Sequence, residues 1–151
     1  MRVTYTVDKE DVLKEVRRLT HYVGSRKVGG DDSTFERIST TESDHEMLDQ
    51  FWNAACSAAT DQLKHFAMSV NNDKDGNESY EVVMEMPSQY DTTLNESIED
   101  SLTNFFINLI ASKWCKIADQ EDEAKYAADA LGYMADVDKK MYYRKRPTRG
   151  Q

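Results

Sequence analysis

The spacing of hydrophobic and polar positions changes several times along the chain, and each change marks an element. "VTYTV" at 3–7 alternates, with Val3, Tyr5 and Val7 on one side and Thr4 and Thr6 on the other, which predicts a short strand. Asp8 then offers an N-cap with Asp11 three residues on, and Val12, Val16, Leu19 and Val23 form the apolar stripe of a helix. Gly24 is its expected stop. Residues 24–40 are rich in Gly, Ser and Asp without a period, so they predict a flexible loop from which Phe35 and Ile38 could dock on the core. Ser43 with Glu46 resembles a capping box and opens a long helix over about 42–69. Leu48, Phe51, Trp52, Ala55, Ala58, Ala59, Leu63 and Phe66 recur there at helical spacing, and the small residues of "AACSAA" would let another helix approach closely.

Further on, Tyr80, Val82, Met84 and Met86 alternate with Glu81, Val83 and Glu85, a second strand over 80–86 that Pro87 ends. A third helix over about 93–118 carries two apolar stripes: Leu94, Ile98, Leu102, Phe105 and Leu109 on one, Phe106, Ile110, Trp114 and Ile117 on the other. Two stripes require burial on two sides, which makes this the central helix. "ADQED" at 118–122 breaks it, and Ala127, Leu131, Met134, Val137 and Met141 pattern a fourth helix over about 122–141. The pattern predicts a mainly α protein: a four-helix-bundle-like body with two short strands and an extended C-terminal arm. Residues 1–141 form one helical domain on this reading, and 142–151 the arm.

Charge adds what periodicity cannot. The net charge is −9, but Lys139, Lys140, Arg144, Lys145, Arg146 and Arg149 crowd into 139–149, a segment without an acid. The remaining 13 basic and 28 acidic residues leave 1–138 at −15. An acidic body thus carries a basic tail. The longest apolar run, "FFINLIA" at 105–111, is far shorter than the roughly 20 residues of a membrane span. "MRVTYTVDKED" lacks the apolar stretch of a signal peptide, so a soluble protein is expected. Cys56 and Cys115 sit in apolar segments without metal-type spacing and read as buried free thiols.

Candidate chemistry is sparse. Asn71, Asp73, Asp75 and Gly76 are spaced like a calcium loop, but the position that needs a bidentate glutamate is Val82. Asp75-Gly76 is better read as a tight turn. Glu42 and His45 have the E-x-x-H spacing of di-iron bundles, yet no second copy exists, and acids at a helix start favour the helix dipole. Nucleophile motifs and glycine-rich phosphate loops are lacking, so no catalytic, metal or cofactor-binding residue is nominated and no enzyme is expected. The tail remains: Tyr142, Tyr143, Arg144, Lys145, Arg146 and Arg149 combine aromatic area with charge and are the candidate partner-binding residues. A solvated, disordered terminus accounts for the run equally well; as a contact, an acidic neighbouring subunit suits it better than DNA, which the acidic body repels.

The order "ESDHEMLDQFWNAACSAATDQL", "YEVVMEMPSQYDTTL", "IEDSLTNFFINLIASKW", a last helix and the basic "MYYRKRPTR" resembles the small head–tail connector, or neck, proteins of tailed bacteriophages. The ending is also similar to that of structural-cluster proteins of phages and prophages from gut Bacteroidales. The resemblance covers about two-thirds of the chain and carries no catalytic residue or cofactor. It implies a non-enzymatic virion structural protein, a homo-oligomeric ring joining portal and tail subunits, made in the host cytoplasm and ending in the virion. DNA would at most pass through the lumen, and no membrane is involved. The N-terminal strand and helix and the loop 24–40 depart from the compact connector pattern and leave open a different neck or tail role, such as tail completion. Such a ring would use the strand at 3–7 and the arm to reach neighbours. A small monomeric adaptor gripping one partner through its tail is the main alternative, and an enzyme with an unrecognised carboxylate site the third.

Overall fold

A computed structural model describes residues 1–27, 44–71, 78–118 and 120–144. The chain runs β1 (Arg2–Asp8), α1 (Lys9–Lys27), α2 (His45–Leu63), β2 (Ala67–Asn71), β3 (Ser79–Glu85), a 3-10 turn (Thr92–Leu94), α3 (Asn95–Ala118) and α4 (Gln120–Met141). The mainly helical architecture matches the pattern of the sequence. A third strand was not legible there.

The expected helix over 42–69 ends at Leu63, where the Phe66 amide bonds the Leu63 carbonyl at 3.1 Å. The chain then enters β2, and the Phe66 carbonyl accepts the Glu85 amide at 2.9 Å. Pairing with β3 overrides the helical spacing of Phe66, because an open strand edge leaves amides and carbonyls without partners. β3 is consequently the central strand of an antiparallel sheet ordered β1-β3-β2. Arg2 to Asp8 pair along β1 with Glu85 to Ser79, and an irregularity between Ala67 and Ser69 bends β2. β1 is therefore engaged within its own chain rather than free to cross, and Glu99 Oε2 accepts the Thr6 amide at 3.0 Å. The expected turn at Asp75-Gly76 lies outside the described residues, as do all of 72–77.

Asp8 caps α1 as expected, its Oδ1 accepting the Asp11 amide at 3.2 Å. Gly24 does not stop this helix, whose backbone continues to Lys27. Isolated helical glycines cost only about 1 kcal/mol, so the residues around one decide whether the helix runs on. The loop proper, with Phe35, Ile38 and Ser43, lies outside the described residues.

Alternation on β3 places Tyr80, Val82 and Met84 in the core, with Met86 buried just beyond the strand. They meet α3, which is buried along its length as a two-stripe helix must be. Phe106 is the hub: its ring lies 5.0 Å from Trp52 of α2, 5.2 Å from Tyr80 and 6.0 Å from Phe105. Small residues Ala55, Cys56 and Ala59 give α2 a buried face. Two stripe positions differ from expectation. Ile117 is 61% exposed at the end of α3, and Leu131 is 69% exposed on α4. The inner face of α4 uses Tyr126 and Ala130 together with the expected Met134, Val137 and Met141. The helix is thus rotated away from the stripe through Ala127 and Leu131. Among the described residues no helix is long and apolar enough to cross a membrane.

Candidate partner-binding site

The basic segment begins where α4 ends. Met141 is fully buried and fixes that end to the core. The amides of Tyr142 and Tyr143 donate to the carbonyls of Lys139 and Lys140 at 3.2 and 3.1 Å, tightening the last turn. The Tyr142 ring, 56% exposed, stands edge-on to Phe66 with centroids 5.3 Å apart. Arg144 then pairs with Tyr90 in an isolated antiparallel bridge. Its Nη1 donates to the carbonyls of Met141 and Tyr143, each at 3.3 Å, as cations do at helix C-termini.

Tyr90 is a firm anchor for that bridge. Its amide bonds the Pro87 carbonyl at 3.0 Å. Its hydroxyl lies 2.9 Å from the Tyr5 hydroxyl and donates to Asn95 Oδ1 at 2.8 Å. Burial raises the pKa of Tyr5 far above the ordinary phenol value, helped by the Tyr90 hydroxyl, and burial raises that of Tyr90 as well. Both therefore stay neutral and keep the network intact.

The nominated residues thus divide. Tyr142, Tyr143 and Arg144 are gathered beside Phe66 and Tyr90, with Tyr143 44% exposed. Lys145, Arg146 and Arg149 lie outside the described residues. Sequence reading missed both anchors, since Phe66 fitted a helical stripe and Tyr90 belonged to no period. Not every cation of the basic run faces outward. Lys140 Nζ bonds Ser97 Oγ at 2.6 Å and pairs with Asp136, whose Oδ2 accepts from Ser101 Oγ at 2.7 Å. The bonds from Lys140 and Ser101 hold the Asp136 carboxyl below the usual range and clamp α4 onto α3.

Among the described residues no three of His, Cys, Asp and Glu gather as a metal site would need. His45 instead places Nε2 3.4 Å from Asp49, which also holds Lys9 at 2.7 Å. Glu42 lies outside the described residues. Both cysteines are buried and outside any disulfide, and burial pushes the Cys56 thiol up to about 12. No family model, no curated protein and no solved structure matches the chain.

Proposed function

We propose that this protein is a non-enzymatic structural subunit of the neck of a tailed phage or prophage particle, one copy in a ring between portal and tail. One observation carries the reading: in an otherwise acidic chain, a run of cations follows directly in sequence on a segment held by Phe66 and Tyr90. The body over 1–138 has a net charge of −15, and Lys145, Arg146 and Arg149 follow directly on the anchored Tyr142–Arg144. An arm launched from a rigid corner loses less orientational freedom on docking than one launched from a frayed helix end. Its charge suits the acidic surface of the next copy, while acidic bodies around a lumen would let DNA pass without sticking. Host cytoplasm is then the site of assembly and the virion the final location.

The arm is tested by reversing its outer charges with Lys145→Glu, Arg146→Glu and Arg149→Glu together. These positions lie beyond the anchors, so helicity by circular dichroism should stay unchanged while salt-sensitive assembly into multimers larger than a pair is lost. Assembly that survives the triple reversal at low salt would reject the arm as the contact.

A further inference from the structure

α1 and α4 both pack on α3 and leave a cleft between them. Its floor is the side of α3 that carries Asn104, Ile107 and Asn108. Leu19 and Tyr22 of α1 form one wall, Tyr126 and Tyr133 of α4 the other. The cavity holds about 350 Å³ and opens to solvent, within the range of small-ligand sites. Tyr22 is 62% exposed and Tyr133 36%, so two phenol rings stand at the mouth with uncovered surface. Tyr126 is buried, and Lys125 Nζ lies 5.9 Å from its ring centre. The two asparagines are out of keeping with their helix, where Phe105, Phe106, Ile107 and Ile110 are buried. Leucine would serve the helix better at both positions. Asn108 Nδ2 donates to the Asn104 carbonyl at 2.8 Å. Its Oδ1 and the Asn104 carboxamide make no hydrogen bond among the described residues, so both are open to a ligand.

The lining says which ligand fits. Two cations, Arg18 and Lys125, stand against two acids, Glu15 and Asp129. Arg18 is already bonded to Glu15, at 3.0 Å through Nε and 2.9 Å through Nη2. The cleft therefore offers an ion no net charge to bind. Carboxamides and phenols are donors and acceptors at once, and they suit a ligand whose own polar groups are both. Hydroxyls are such groups. A sugar ring joins a rim of hydroxyls to an apolar C–H face, and that face lies flat on an aromatic ring. We infer that the α1–α4 cleft binds an uncharged saccharide, its C–H face on the tyrosines at the mouth and its hydroxyls on Asn104 and Asn108. The cleft shares no residue with Tyr142, Tyr143 or Arg144, so this reading rests neither on the arm nor on the ring.

The test is an NMR titration of the isotope-labelled full chain with neutral trisaccharides of glucose, mannose, galactose and N-acetylglucosamine. Adenosine serves as an uncharged aromatic control. At least one trisaccharide should shift the backbone amides of α1, α3 and α4 around the cleft, with a Kd of about 0.1–5 mM. Raising salt should change that affinity by less than about twofold, as an uncharged ligand requires. Tyr22→Ala should weaken binding by about tenfold through the lost stacking surface. Asn104→Leu should weaken it by about tenfold through the lost floor carboxamide. Neither side chain is fully buried, so helicity and unfolding temperature should hold in both variants. No shift from any of these sugars up to about 20 mM overturns the inference. Binding that both substitutions leave unchanged overturns it too, and so does a response to adenosine alone.

Discussion

At the scale of single residues, buried hydroxyls and one thiol set how the fold answers to pH. Tyr5, Tyr80 and Tyr90 all have raised pKa values, with burial as the leading cause. Burial likewise holds Cys56 at about 12 against an ordinary 9.0. Raised values mean that the folded state keeps protons the unfolded chain would release. Their contribution is complete below about pH 9 and is lost as pH rises through 9 to 12 and beyond. Stability measured by denaturant should therefore fall steeply in alkali, and Tyr90→Phe should lower it at neutral pH by about 0.5–1.5 kcal/mol through the lost Tyr5 and Asn95 bonds. Cys56 should resist a disulfide-exchange reagent in the native protein and react once guanidinium unfolds it. Asp136 works in the opposite sense. Its lowered pKa gives a contribution present above the ordinary 3.8 and lost as pH falls below it, a loss that Asp136→Asn should remove from the acid side of the curve.

At the scale of elements, the core around Phe106 and the surface of α4 lie at opposite extremes of tolerance. Phe106→Ala would leave Trp52, Tyr80 and Phe105 around a cavity and should cost about 3–5 kcal/mol in chemical denaturation. Gly132, inside α4, has open space where a Cβ would stand. Gly132→Ala should raise stability by about 0.5–1 kcal/mol in the same measurement. These elements also mark the limit of what periodicity conveys. β1, β3 and the two-sided burial of α3 were legible because side chains on opposite faces meet different surroundings. β2 was not, because "AMSVN" is short and follows a helical stripe, and its existence depends on the open edge of β3, a partner distant in sequence. The rotation of α4 was hidden for a similar reason. Leu131 suits an inner position by hydrophobicity alone, but the clamp of Lys140 and Asp136 onto Ser97 and Ser101 fixes which side of the helix faces α3.

At the scale of the whole molecule, the charge division read from sequence gains a geometry. The cations at 139–149 were visible as a run, but not that Lys140 is committed to the helix pair or that Arg144 folds back on its helix end. Lys145, Arg146 and Arg149 follow in the sequence on the segment that meets Phe66 and Tyr90. In the proposed function these cations join copies into a virion structure. The most direct test compares the light-scattering mass of the full chain with that of residues 1–144, at low and high salt. A discrete multimer of 17.4 kDa units larger than a pair, lost on raising salt and on removing the arm, is expected if the arm joins copies. The same mass for both proteins at low salt would contradict it.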